Sequence, residues 1–157
     1  MKWTARLALT VILAMALFGS AASAQTLTMA MSAQPDTLDP QVTAATAAFQ
    51  VGKSIYDTLV EVDPGGNIVP ALASSYAASM DGLSYTFTLV ETTFHDGTAL
   101  DSGDVAATLA RVMDEATASP KRNEYGAITA VETPDERTVV LRLAQPTPSL
   151  LATLASG

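Results

Sequence analysis

The 157-residue chain contains no cysteine and only one histidine. Without cysteine there is no disulfide scaffold, no zinc–thiolate site and no thiol nucleophile. A single imidazole cannot supply a histidine-rich metal cluster. Basic residues are also scarce, because 8 lysines and arginines stand against 16 aspartates and glutamates, a formal net charge of 8 − 16 = −8. This acidic balance argues against nucleic acid and anionic membrane surfaces as partners.

The first residues have the pattern of an export signal. Lys2 and Arg6 precede an apolar run from Leu7 to Phe18, and small residues follow up to Ala24. A membrane-spanning helix needs about 20 strongly apolar residues, and this run is shorter. The pattern therefore predicts a secretory signal peptide over residues 1–24, cleaved after Ala24.

Cleavage at this position would leave residues 25–157, which are 157 − 24 = 133 residues with a net charge of 6 − 16 = −10. The new first residue would be Gln25, whereas a lipoprotein needs a cysteine there to carry its lipid. We therefore expect a periplasmic product without a lipid anchor. Apolar residues make up 48% of the whole chain, which is enough for a hydrophobic core.

The exported part mixes strand and helix periods, which predicts the mixed α+β class. Alternating residues predict a strand over Thr26–Ser32, and a proline-containing loop follows over Ala33–Gln41. Helical spacing predicts a helix from Ala45 to Leu59 with Tyr56 on its core-facing side, whereas Leu72–Met80 favours neither structure. Further strands are predicted at Leu59–Val62, Ile68–Pro70, Ser84–Leu89, Ile128–Glu132 and Thr138–Leu143.

Side chains mark the starts of two more helices. Asp101 lies three residues before Asp104, ahead of an apolar stripe that ends near Glu115. Asp101 can accept hydrogen bonds from free amides as an N-cap, and Asp104 suits the positive end of a helix. Thr147 and Pro148 predict the start of the last helix, with Pro148 at its first position.

No residue pattern points to catalysis. His95 is the only candidate base, and its neighbour Asp96 in the same turn is badly placed to orient it. The segment Asp63–Gly66 lacks the Gly-Lys-Ser/Thr end of a phosphate-binding loop, so it predicts a hairpin turn. We predict that the protein is not an enzyme and holds no metal and no cofactor.

Six short motifs nevertheless occur in a fixed order. They are Leu38-Asp39-Pro40, Ile55-Tyr56-Asp57-Thr58-Leu59-Val60, Ile68-Val69-Pro70-Ala71-Leu72-Ala73-Ser74-Ser75-Tyr76, Asp81-Gly82-Leu83-Ser84-Tyr85-Thr86-Phe87-Thr88-Leu89, Phe94-His95-Asp96-Gly97 and Asp104-Val105. Together they resemble the extracytoplasmic solute-binding proteins of peptide and nickel ABC importers, the dipeptide/oligopeptide-binding family. Tyr76 stands where that family usually has tryptophan, and we expect this aromatic ring to preserve the packing.

The resemblance implies a fold of two α/β lobes that close on a ligand, as in periplasmic binding proteins of type 2. Family members run to several hundred residues, so the chain is expected to be a fragment that stops within the first lobe. By the same resemblance, residues 26–44 are the ligand-facing strand and loop of that lobe. Residues 45–157 match its peripheral subdomain, which supports the lobe.

Four residues in the predicted loop are therefore candidate ligand contacts: Ala33, Gln34, Thr37 and Leu38. Gln34 and Thr37 can form hydrogen bonds with a peptide backbone, and Ala33 can offer main-chain groups. The alternative interpretation is an ordinary tight loop, stabilised by its prolines.

The function implied by the resemblance is that of a substrate-binding component of an ABC importer. A monomer in the periplasm would bind a peptide or similar solute and deliver it to the permease. Two alternatives stay open: a metal chelate, haem or sugar-type ligand, or a stand-alone secreted interaction domain. A pocket that closes on a solute needs two walls, so we expect residues 25–157 alone to bind no solute with useful affinity.

Overall fold

The computed structural model describes residues 28–156, and from Met31 onward these residues belong to one compact unit. The predicted signal peptide over residues 1–24 lies outside the described residues. Among the described helices, none has the length and apolar character needed to cross a membrane.

The compact unit combines short helices with antiparallel strands, which confirms the predicted α+β class. In chain order its elements are α1 (Thr46–Gly52), β1 (Val60–Val62), β2 (Ile68–Pro70), β3 (Ala73–Ala78), β4 (Ser84–Leu89), α2 (Ser102–Met113), two 3₁₀ turns (Glu115–Thr117 and Arg122–Tyr125), β5 (Ile128–Asp135), β6 (Thr138–Leu143) and α3 (Leu150–Ser156).

Two antiparallel sheets organise the unit. β1 and β2 form a hairpin around the turn at Asp63, whose N–H donates to the carbonyl of Asn67 at 2.9 Å. The larger sheet has the strand order β3-β4-β6-β5, with Phe87 of β4 opposite Val139 of β6. The hairpin and the strand at β4 were both predicted correctly.

Alternation along β4 explains how the large sheet builds the core. Tyr85, Phe87 and Leu89 are buried, while Thr86 and Thr88 on the other face are exposed. The ring of Tyr76 on β3 packs against Phe87 with centroids 6.1 Å apart. The expectation that Tyr76 keeps an aromatic contact at this position is confirmed.

α2 covers the β5–β6 side of the sheet, and its start is fixed by a capping box. The Asp101 carboxylate accepts from the N–H groups of Gly103 and Asp104 at 2.7 and 3.2 Å, and the Asp104 carboxylate accepts from the N–H of Asp101 at 2.9 Å. The apolar stripe that begins at Val105 and includes Val112 is buried. The predicted N-cap is therefore confirmed.

The predicted strand over Thr26–Ser32 is wrong where it can be examined. Residues 28–32 are in neither sheet of the described chain, and residues 26 and 27 lie outside it. An alternating pattern becomes a strand only when a neighbouring strand takes up its backbone hydrogen bonds. Leu72–Met80, which favoured neither structure in the sequence, shows the reverse. Its residues Ala73–Ala78 form a strand because they pair with β4.

Two helix predictions also need correction. α1 ends at Gly52 instead of Leu59, and Tyr56 is 46% exposed and not in the core. Glycine weakens a helix, and the chain turns directly after it. The last helix begins at Leu150, and the Thr147 hydroxyl donates to the carbonyl of Gln145 at 3.0 Å instead of capping the helix.

Candidate functional site

A groove of about 900 Å³ opens between the loop at residues 37–41, the segments 55–59 and 92–95, and one side of α2. Its walls include buried apolar side chains such as Leu59 and Leu109, together with the charged side chains of Asp39 and Arg111. A concave surface of this size, with an apolar wall and a few polar groups, is typical of small-molecule sites.

Residues 36–41, which we call the Asp39 loop, supply one wall of this groove through residues 37–41 and are shaped by their own side chains. The N–H of Thr37 donates to the carboxylate of Asp36 at 2.9 Å, and the N–H of Asp39 donates to the hydroxyl of Thr37 at 3.1 Å. The N–H of Gln41 donates to the Asp39 carboxylate at 3.0 Å. Side-chain oxygens thus take the place of a strand ladder.

A cluster of polar side chains joins the Asp39 loop to α2. Both nitrogens of the Arg111 fork donate to the Asp39 carboxylate, at 3.0 and 2.6 Å, and Nη1 also donates to the side-chain oxygen of Gln41 at 2.8 Å. The Gln41 amide in turn donates to the carbonyl of Thr108 at 3.1 Å. Donation from Arg111 holds the pKa of Asp39 below its usual range, and Asp39 raises the pKa of Arg111.

Tyr56, which also lines the groove, forms a second contact with the loop. Its hydroxyl donates to the carbonyl of Leu38 at 3.0 Å, which explains why the ring lies near the surface. His95 lies near the same segment, where its Nε2 is 3.1 Å from the carbonyl of Ile55. A ring nitrogen bound to a main-chain carbonyl is not free to act as a base there.

The structure separates the four candidate ligand contacts into two pairs. Thr37 and Leu38 line the groove. Ala33 and Gln34 lie on an exposed bend before the groove and are not among the residues that line it. The part that these four residues take in binding stays a prediction.

Sequence reasoning did not identify the residues that join the Asp39 loop to the rest of the unit. Asp39 was assigned to the proline-containing loop and to the motif Leu38-Asp39-Pro40, and Arg111, which closes the last motif, received no role in a site. The motif that contains Asp39 gave no sign of its partner on α2. Within residues 28–156, no group of three or more histidine and acidic side chains could hold a metal ion.

The sequence of the chain is similar to that of known solute-binding proteins. Residues 67–156, more than half of the chain, match the family described as bacterial extracellular solute-binding proteins, family 5 Middle. A putative ABC transporter peptide-binding protein of Brucella ovis is 40% identical over 112 residues, which cover 71% of this chain and 21% of that protein. The glutathione-binding protein GsiB of Escherichia coli K12 is 35% identical over 145 residues, covering 91% of this chain and 28% of GsiB.

A solved structure has a similar fold. The periplasmic binding protein AgaA from A. tumefaciens R10, in complex with agropinic acid, superposes with a TM-score of 0.75 and 41% identity. The match covers 78% of this chain and 25% of AgaA, so the type 2 periplasmic binding protein fold is confirmed for one portion of that architecture. The chain spans about a quarter of the length of the proteins it matches. These proteins are solute-binding proteins and not enzymes, in agreement with the prediction of no catalysis.

Proposed function

Because the chain belongs to family 5 of the bacterial extracellular solute-binding proteins, we propose that it is part of the substrate-binding component of an ABC importer. Such a component captures a solute outside the cytoplasm and presents it to the permease, without chemical change. The observation that carries this proposal is the family match over residues 67–156, joined with the superposition on AgaA.

The place of action in this proposal is the periplasm. The family description is of extracellular proteins, and the N-terminal pattern of Lys2, Arg6 and the apolar run is typical of a cleaved export signal. We propose a monomer that is not lipid-anchored, since Gln25 and not cysteine follows the expected cleavage point.

The solute in this proposal is a peptide. One relative is named for peptide binding and another for glutathione binding. A second candidate is a solute similar to agropinic acid, which is favoured by the 41% identity to AgaA. The contacts are proposed to come from Ala33, Gln34, Thr37 and Leu38, of which the last two line the groove.

A chimeric protein can test this function, because the chain resembles one portion of a complete binding protein. The segment of AgaA that superposes on this chain is replaced by the matching residues of the chain, and agropinic acid is titrated into the purified chimera by calorimetry. If the segment is a working portion of a binding lobe, we expect saturable binding within about tenfold of the affinity of AgaA, a difference of about 1.4 kcal/mol.

Two control titrations accompany the chimera. AgaA itself sets the reference affinity, and the 157-residue chain alone is titrated with a tripeptide and with agropinic acid. We expect no binding by the chain alone, because it spans about a quarter of the length of its relatives and a closing pocket needs two walls. A chimera that folds, judged by circular dichroism and a cooperative thermal transition, and yet shows no heat of binding would contradict the proposed function.

A further inference from the structure

The Asp39 loop is fastened to its surroundings at very few points. Within residues 28–156, hydrogen bonds join it to the remainder of the unit only through Tyr56, Thr108 and Arg111. Its other hydrogen bonds are local, such as that from the Thr43 hydroxyl to the Asp36 carboxylate at 2.9 Å. The position of the loop against the groove therefore depends on individual side chains.

Two of these three points lie on one face of α2. Thr108 and Arg111 are three residues apart and are neighbours on the helix surface. The adjacent face of α2, about 100° around the helix axis, carries the buried Leu109 and Val112, which belong to the hydrophobic core. The helix thus packs on the core with one face and binds the Asp39 loop with the neighbouring one.

Arg111 is suited to this task by the shape of its side chain. A guanidinium group is planar and presents its N–H donors in a fixed fork, so it can hold both oxygens of Asp39 and also reach Gln41. A lysine at this position would keep the charge but not the paired geometry. Because Arg111 binds the side chains of both Asp39 and Gln41, it fixes the orientation of the loop relative to α2 as well as its distance from the helix.

We propose that Arg111 is a positioning residue for solute binding: it fixes the Asp39 loop on α2 and thereby holds Thr37 and Leu38 against the groove. Arg111 also lines the groove, but the role proposed for it is exercised through the loop. This inference rests on the proposed function for its consequence in binding, whereas its structural part can be tested in the chain itself.

The structural part is tested by nitrogen-15 relaxation on the full chain, comparing the unmodified protein with Arg111→Lys and Arg111→Ala. We expect order parameters of about 0.85 for the amides of residues 37–39 and 41 in the unmodified chain and below about 0.6 in both variants. Phe87 at the centre of the sheet should keep its order parameter in all three proteins, because an exposed ion pair adds little to global stability.

Arg142 offers a matched control. It forms a two-point ion pair with Glu132 at 2.9 and 3.0 Å, and its side chain is 50% exposed against 49% for Arg111. Arg142→Lys should leave the Asp39 loop ordered. Unchanged loop order in both Arg111 variants, or an equal loss of order in Arg142→Lys, would overturn the assignment.

The consequence for binding is measured in the AgaA chimera. We expect Arg111→Lys to weaken the affinity for agropinic acid by about tenfold without changing the melting temperature, while Arg142→Lys has no effect. If the unmodified chimera fails to bind, the proposed function fails and relaxation still judges the role of Arg111 in ordering the loop. If it binds and Arg111→Lys binds equally well, the positioning role is wrong and the proposed function stands.

Discussion

The large sheet and the Asp39 loop, although they belong to one compact unit, are held in place by different interactions. In the sheet, Phe87, Val139 and Leu141 are completely buried between β3–β6 and α2. In the loop, carboxylate and hydroxyl oxygens satisfy the backbone, and Arg111 fixes the whole segment from outside. Hydrophobic burial is non-directional, whereas a paired hydrogen bond between a guanidinium and a carboxylate constrains the relative orientation of the two groups. Burial in the sheet therefore stabilises the unit as a whole, whereas the position of the Asp39 loop depends on a few directed contacts.

The largest effect on stability is expected from truncating Phe87, at the centre of the large sheet. Phe87 is 0% exposed and its ring lies between those of Tyr76 and Tyr85, with centroids 6.1 and 6.4 Å away. Phe87→Ala should lower the free energy of unfolding by about 3–5 kcal/mol, measured by urea denaturation.

Phe94→Ala is the matched control for this experiment, because Phe94 is exposed. It should change the free energy of unfolding by less than about 0.5 kcal/mol. Equal effects of the two substitutions would contradict the view that burial in the sheet holds the unit together.

A smaller effect is expected at the start of α2, the element that the two regions share. Asp101→Ala removes the acceptor for the N–H groups of Gly103 and Asp104 and should destabilise the unit by about 1 kcal/mol. Asp101→Asn should restore most of that loss, since asparagine caps a helix about as well as aspartate. Thermal unfolding of the three proteins measures both values, and an asparagine variant as unstable as the alanine variant would argue against capping.

The smallest effect on stability is expected from acid acting on the loop. The pKa of Asp39 is lowered in the folded state, chiefly because its carboxylate accepts hydrogen bonds from Arg111. The stabilisation from this contact is therefore present above 3.8, the ordinary pKa of an aspartate, and is lost as the pH falls through the lower folded value. Loop order should persist at pH 5 and decrease below the folded pKa of Asp39.

The variant Asp39→Asn provides the control for this titration. It removes the titrating carboxyl group, so the loop should be mobile already at neutral pH. Its order parameters should then no longer change over the pH range in which Asp39 titrates in the unmodified chain. Order parameters measured between pH 7 and pH 3 report both behaviours. A loop in the variant that loses order over the same pH range as the unmodified chain would show that another group controls it.

Local patterns were sufficient for β4 and for the start of α2. The alternation from Tyr85 to Leu89 identifies both the strand and its buried face, and the spacing of Asp101 and Asp104 identifies the cap. These signals lie within a few residues of one another, so they can be interpreted without knowing the fold.

The site depended on information that no local pattern contains. Asp39 and Arg111 are 72 residues apart, and Tyr56 has an apolar-periodic position although its hydroxyl bonds to Leu38. The predicted strand before the loop failed for a related reason, because no neighbouring strand pairs with residues 28–32 in the described chain. Fold class and family could be predicted, whereas the contacts that position the loop could not.

The decisive measurement is the affinity of the AgaA chimera for agropinic acid when the two regions are changed separately. If the Asp39 loop and the bend before it face the solute, the double variant Gln34→Ala/Leu38→Ala should weaken binding by at least about tenfold, about 1.4 kcal/mol. Thr86→Ala/Thr88→Ala, on the exposed face of β4, should leave the affinity unchanged. A double loop variant that binds as tightly as the unmodified chimera would contradict the assignment of this segment to the solute.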